Sequence, residues 1–331
     1  KYAAMALNAG ENKPVSDKWA IVVGISNFAD SSINLKYAAK DATDFASFLV
    51  GQENFKRDHI KLLTDKQATK DNIISQLGDG WLGKFAHKDD LVVVYVSSHG
   101  SSSDQDVGVN FLVAHDTDKY KLVSTGIPMQ WLSKIIQEQV RSDRVVLILD
   151  VCHSGSATAS PSSKASSESS TAEKNSSDDA GGKGLFVTAA TTATTMDPSK
   201  LSLGSGQIVL CSSLADQVSW ESKNYQNSVF THQLIEALQC DGKQTTLHQA
   251  YDHLKKSVES EVLRDRGAMQ TPNLSNKLWQ GGDPSLAVVP EKGTTMLAAP
   301  TQAPSQASAG GKTIPRRTSA TATSPSKTSR R

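Results

Sequence analysis

Two segments decide the fold of this chain: Val92-Val93-Val94-Tyr95-Val96-Ser97-Ser98-His99-Gly100 and Val145-Val146-Leu147-Ile148-Leu149-Asp150-Val151-Cys152-His153-Ser154-Gly155. Each is an apolar, β-branched run that ends in small residues and one reactive side chain. Such runs are typical of buried parallel strands. The carboxyl ends of parallel strands line the ligand crevice of an open α/β sheet. The sequence therefore places the imidazole of His99 and the thiol of Cys152 at that edge.

Strand-like and helix-like segments alternate through the rest of the chain. Thr69 is a candidate N-cap for the second helix. This alternation predicts an α/β fold with a mostly parallel central sheet and helices on both faces. The predicted strands are 19–25, 59–63, 91–97, 111–114, 145–151, 207–213 and 285–289, and the predicted helices are 35–49, 69–85, 128–140, 229–238 and 247–263.

Composition divides the chain into one large domain and three segments outside its core. Residues 156–184 and 291–331 consist mainly of Ser, Ala, Thr, Gly and Lys. Such segments bury too little apolar surface to offset chain entropy, so we expect them to be disordered. The predicted domain is 18–289, with a large part at 18–155, a Ser-rich linker at 156–184 and a small part at 185–289. Residues 1–17 form an N-terminal extension, and 290–331 form a basic tail.

Charge and cysteine content argue against several functional classes. The net charge is +1, of which the tail carries +6 and the rest −5. A mildly acidic core does not indicate nucleic-acid binding, and no apolar run is long enough for a membrane span. Residues 1–17 lack a signal-peptide apolar region, although the first residue is Lys and a leader could have been removed. The cysteines Cys152, Cys211 and Cys240 show no paired spacing, so we expect no disulfide framework, no bound metal and a reducing, cytoplasmic location.

Cys152 and His99 are the candidate catalytic pair. A cysteine that attacks a carbonyl needs a neighbouring histidine to form or stabilise its thiolate. The alternatives are an inert buried strand cysteine and a structural histidine at a strand end. His153 should point away from Cys152 if the strand continues, because side chains alternate along a strand.

These residues carry a family resemblance. Ser-Ser-His-Gly followed by Asp-Val-Cys-His-Ser-Gly resembles the His and Cys boxes of the caspase-like peptidases, in the metacaspase and orthocaspase branch. The resemblance covers roughly residues 18–289 and implies a caspase-like three-layer sandwich. It also implies a cysteine endopeptidase with Cys152 as nucleophile and His99 as base. The backbone N–H groups of Gly100 and Cys152 would then form the oxyanion hole.

The resemblance also implies a pocket for an Arg or Lys side chain. Asp150 is two residues before Cys152 and so lies on the same face of the strand. In the metacaspase branch this Asp lines the pocket, and the other pocket positions correspond to Asp41 and Ser97. Asp216 resembles a further segment near the pocket. Helical periodicity alone would make Asp41 an exposed residue.

The chain departs from the family in two places. Ser98 stands where a Gly usually precedes the His, and we expect no loss of activity from it. The acidic residues of calcium-dependent members are replaced by Gly126-Ile127 and Ala159, so we expect no cofactor and no calcium requirement. Asp116 and Asp118 are interpreted as loop residues rather than calcium ligands.

Three functions fit these residues. The first is an endopeptidase acting on protein or peptide substrates after Arg or Lys. The alternatives are a weakly active caspase-like signalling scaffold and a Cys-His hydrolase of non-peptide acyl groups.

The linker contains Lys164, Lys174 and Lys183, which the pocket should accept. A flexible segment tethered beside its own active site has a high effective concentration there, so we expect self-cleavage after one or more of them, the alternative being an uncut spacer.

Overall fold

The structure is a computed structural model that describes residues 14–102, 109–151, 183, 206–214, 217–277 and 282–292. Its strands are β1 (Lys18–Gly24), β2 (Ile60–Thr64), β3 (Leu91–Ser97), β4 (Gly100–Ser102), β5 (Asn110–Leu112), β6 (Ile127–Pro128), β7 (Val145–Asp150), β8 (Gln207–Cys211) and β9 (Asn273–Lys277). Its helices are α1 (Ala38–Gly51), α2 (Lys70–Leu77), α3 (Leu82–Phe85), α4 (Leu122–Thr125), α5 (Met129–Gln139), α6 (Val229–Ala237) and α7 (Leu247–Arg266).

The main sheet has the strand order β2-β1-β3-β7-β8-β9. Its first five strands are parallel, and β9 is antiparallel to β8. The two strands that end in the reactive motifs, β3 and β7, lie next to each other at the centre. A small antiparallel sheet, β4-β5-β6, begins directly after His99.

The main sheet is buried on both faces. Side chains alternate along β1: Trp19, Ile21 and Val23 enter one apolar cluster, and Ala20 and Val22 enter the other. The first cluster includes residues of α2, α3 and α5, and the second includes residues of α1, α6 and α7. Burial on both faces explains why these strands are continuous apolar runs. The predicted α/β class and three-layer architecture are confirmed.

Local signals in the sequence set several helix ends. Thr69 caps α2 as predicted, with its hydroxyl accepting a hydrogen bond from the Asn72 N–H. The predicted helix 69–85 is wrong in its middle, because α2 ends at Leu77 and α3 starts only at Leu82. Gly78 follows the last residue of α2, a position where glycine commonly ends a helix.

The prediction of a last strand at 285–289 is wrong. Residues 285–289 contain no strand, and the last described strand is β9, twelve residues earlier in the chain. The carbonyl oxygens of Leu286 and Val288 accept hydrogen bonds from the Lys18 ammonium at 2.5 and 2.9 Å. These backbone groups are satisfied by a side chain instead of a neighbouring strand, as buried carbonyls require.

The proposed division of the chain into extension, domain, linker and tail stays a prediction. Residues 1–13, most of 156–184 and the tail from 293 onward lie outside the described residues. Among the residues that are described, no helix combines the length and apolar character needed to cross a membrane.

Candidate active site

The strands of the two motifs, β3 and β7, end side by side at the carboxyl edge of the main sheet. Ser97, the last residue of β3, is the register partner of Asp150, the last residue of β7. His99 follows two residues after Ser97 and is almost fully buried. Cys152 lies outside the described residues, and Val151 before it is buried. The two predicted strand ends therefore do meet at this edge, and the position of Cys152 there stays a prediction.

Asp41 joins this edge from the first turn of α1. Its side chain is fully buried, contrary to the exposed position that helical periodicity favours. The helix approaches β1 closely because Gly24 has no side chain: a Cβ there would lie 2.3 Å from the Ala38 carbonyl oxygen. The Asp41 carboxylate accepts hydrogen bonds from Asn227 Nδ2 at 3.1 Å and the Ser228 N–H at 2.9 Å.

The side chain of Lys183 occupies the space between these acidic residues. It is fully buried. Its ammonium lies 2.8 Å from Asp150 Oδ2, 2.9 Å from Ser97 Oγ and 3.5 Å from Asp41 Oδ2. The carbonyl oxygen of Lys183 lies 2.6 Å from His99 Nδ1. One linker lysine is thus held by the predicted pocket residues through its side chain and by the predicted base through its main chain.

The charges of this cluster depend on one another. Burial alone would lower the pKa of Lys183, but Asp150 and Asp41 outweigh that effect, and its pKa lies above the usual value. Burial pushes the pKa of Asp150 upward, but the Lys183 charge and hydrogen bonds hold it below its usual value. Burial raises the pKa of Asp41 to about 6, against the opposing charge of Lys183. A buried cation is therefore paired with a firmly ionised Asp150 and a more easily protonated Asp41.

Both ring nitrogens of His99 face carbonyl oxygens. Its Nε2 lies 2.7 Å from the carbonyl oxygen of Ile33, and the ring packs 5.3 Å from the Phe28 ring centroid. Burial lowers its pKa, although the two carbonyl acceptors favour the charged form. A neutral imidazole has one N–H, so it can donate to only one of the two carbonyls while the other nitrogen remains unprotonated.

The loop after β8 supplies residues near the Lys183 cluster that carry no sequence motif. Glu221 is buried, and its carboxylate accepts the N–H groups of Lys36 and Tyr37 just before α1. Asn227 and Ser228 contact Asp41 directly. Short polar side chains in a loop resemble ordinary turn residues, so the sequence alone could not identify them.

The other predicted site residues are only partly placed. Gly100 is buried and begins β4, opposite Leu112. Asp216, Lys164 and Lys174 lie outside the described residues, as does Cys152. Asp116 accepts the N–H of Lys70, and Asp118 accepts that of Tyr120, both as loop residues. No group of three or more metal-ligating side chains occurs within the described ranges.

The parallel sheet, its two helical layers and the buried His at the sheet edge define a protein of caspase-like architecture. Residues 17–280 match the family model described as Peptidase C14, caspase domain. The chain belongs to this caspase-domain family.

The curated relatives of this chain include fungal metacaspases, which match less than half of it. Metacaspase-1A of Neurospora crassa is 26% identical over 152 residues, covering 41% of this chain and 32% of that protein. Metacaspase-1 of Meyerozyma guilliermondii is 29% identical over 156 residues, covering 42% of this chain and 36% of that protein. The chain thus spans about a third of the length of the relatives that it matches.

Solved structures show the same fold at low sequence identity. Protein GSU0716 from Geobacter sulfurreducens superposes with a TM-score of 0.53 and 16% identity, covering 82% of this chain and 99% of that one. Caspase-1 from Spodoptera frugiperda gives a TM-score of 0.50 and 14% identity, with 81% and 90% covered.

Proposed function

We propose that the protein is a cysteine endopeptidase that cleaves peptide bonds after Lys or Arg, including the Lys183–Gly184 bond of its own chain. The observation that carries this proposal is the position of Lys183. Its ammonium lies between Asp150 and Asp41, and its carbonyl group contacts His99.

The pocket suits a basic side chain and rejects an acidic one. An ammonium or guanidinium replaces the water that two buried carboxylates would otherwise need. An Asp side chain in the same place would face two like charges in a desolvated site, which costs several kcal/mol. A caspase-like enzyme with this pocket should therefore cleave after a basic residue and not after Asp.

The contact between His99 and the Lys183 carbonyl resembles a substrate held for reaction. In the proposed step, His99 accepts the proton of the Cys152 thiol, and the resulting thiolate adds to the Lys183 carbonyl carbon and forms a tetrahedral oxyanion. The N–H groups of Gly100 and Cys152 stabilise this oxyanion. The C–N bond then breaks as His99 gives a proton to the amine of Gly184. Water subsequently hydrolyses the thioester, which releases the Lys183 carboxylate and regenerates the thiol.

Self-cleavage after Lys183 is the first expected result. Mass spectrometry of the purified active chain should find a fragment ending at Lys183 and another starting at Gly184. Cys152→Ala protein should stay intact. Because Lys183 is bound by its own pocket, the fraction cut per unit time should not change on dilution.

Two controls separate this reaction from other proteolysis. Lys183→Gln should abolish the cut at that bond, whereas Lys164→Gln and Lys174→Gln should leave it unchanged. Equal cutting in Cys152→Ala protein, or an active enzyme that remains uncut, would reject self-processing.

Calcium should have no effect on turnover of a lysyl peptide. Calcium needs several oxygen ligands, and Gly126-Ile127 and Ala159 provide no acidic side chains at the positions that calcium-dependent members use. The rate should be the same in chelator and in millimolar calcium. A large loss of activity in chelator that calcium restores would show that a calcium site exists.

A further inference from the structure

Asp150 receives hydrogen bonds from every polar group that contacts its carboxylate in the described structure. Ser219 Oγ donates to Oδ1 at 2.8 Å. Thr231 Oγ1 and Lys183 Nζ each lie 2.8 Å from Oδ2, which also accepts from Ser228 Oγ. In this arrangement the carboxylate accepts from all four groups, as an ionised carboxylate does, and the adjacent Lys183 ammonium favours that form.

The hydroxyl proton of Thr231 determines which residue donates in the hydrogen bond between Tyr95 and Thr231. Tyr95 Oη lies 2.5 Å from Thr231 Oγ1. Threonine has one hydroxyl proton, and Thr231 uses it on Asp150. Tyr95 must therefore donate to Thr231, and it remains protonated because burial raises its pKa well above the usual value. The result is a buried chain of hydrogen bonds from Tyr95 through Thr231 to Asp150.

The Asp41 carboxylate makes longer contacts than the Asp150 carboxylate on the side that faces Lys183. Asp41 Oδ2 has Ser97 Oγ at 3.2 Å and the ammonium at 3.5 Å. Hydrogen bonds to a charged group are normally shorter than this. The cation is therefore held mainly by Asp150, and whatever fixes the Asp150 carboxylate also fixes the cation site.

We infer that Thr231, backed by Tyr95, is a positioning residue that holds the Asp150 carboxylate and so determines the preference for a basic side chain. This inference rests on the proposed peptidase function. Thr231 lies in the first turn of α6, downstream of the proposed cleavage site, whereas Asp150 lies upstream of it. Both fragments must stay associated for the cleaved enzyme to retain its specificity.

The test compares two peptides that differ only in the terminal ammonium group of the residue before the scissile bond, one with lysine and one with norleucine. The measured quantity is the ratio of kcat/KM for the lysyl peptide to kcat/KM for the norleucyl peptide. In self-processed protein, Thr231→Val should reduce this ratio by about tenfold to a hundredfold, because a hydrogen bond to a charged group contributes a free energy of that size. Thr231→Ser, which keeps the hydroxyl, should restore the ratio. Tyr95→Phe should reduce it less, and should have no further effect in Thr231→Val protein because the two act in series.

The outcomes distinguish this inference from the proposed function. If the unaltered enzyme does not prefer lysine over norleucine, the proposed function fails. If it does and Thr231→Val keeps the full ratio, or slows both peptides equally, the positioning role alone is wrong. If Thr231→Val does not fold, Tyr95→Phe provides the same comparison, since it keeps the ring that stacks on Phe45.

Discussion

Cys152→Ala should lower kcat/KM for a lysyl peptide by roughly four to six orders of magnitude, the effect of removing a covalent nucleophile. The fold should be unchanged, because the substitution removes a single sulfur atom two residues beyond the end of β7. Steady-state rates and the thermal unfolding midpoint of the two proteins would test both statements.

The two other cysteines provide matched controls for this substitution. Cys211 is buried within β8, and burial raises its pKa to about 12, so it is a poor nucleophile. Cys240 is exposed and far from β7 in sequence. Cys240→Ala should retain full activity. If Cys152→Ala retains more than a few per cent of the wild-type rate, the assigned nucleophile is wrong.

Asp150→Asn should have the second largest effect. Breaking a buried ion pair by removing one partner costs about 3–5 kcal/mol, which corresponds to a loss of about 10²- to 10⁴-fold in kcat/KM for a lysyl peptide. The substitution preserves the shape of the side chain, so the loss reflects charge. The rates of lysyl and norleucyl peptides should become similar.

Asp143→Asn is the matched control for Asp150→Asn. Asp143 lies two residues before β7, is exposed, and pairs with Lys88 at the surface. Exposed ion pairs contribute about 0–1 kcal/mol, so this variant should keep its lysine preference. A normal rate and preference in Asp150→Asn would show that the basic side chain binds elsewhere.

The parts of the fold that the sequence predicted have strong local signals. The β-branched runs of β1, β3 and β7 are buried on both faces, and such runs rarely occur elsewhere. β9 was missed because Asn273, Ser275, Asn276 and Lys277 are polar, as an edge strand permits. Residues 285–289 have a strand-like pattern, but their carbonyls bind Lys18, a contact between distant parts of the chain.

The residues of the candidate site also differ in this respect: some lie in local sequence motifs, and others meet only through contacts between distant parts of the chain. His99, Asp150 and Ser97 lie within short motifs, so sequence could identify them. Asp41 could be found only through the family resemblance, because its burial depends on the approach of α1 to β1 at Gly24. Thr231 and Tyr95 had no signal, since their roles arise from a contact between residues that are distant in sequence.

The most direct test of the central claim is a comparison of three peptides that differ only in the residue before the scissile bond. Self-processed protein would be assayed with lysine, norleucine or aspartate at that position, and kcat/KM measured for each. The geometry around Lys183 predicts that the lysyl peptide is cleaved at least about 100-fold faster than the aspartyl peptide, in which like charges meet in a desolvated pocket, with the norleucyl peptide between them. An aspartyl peptide cleaved as fast as the lysyl one would contradict the claim that Asp150 and Asp41 form a pocket for a basic side chain.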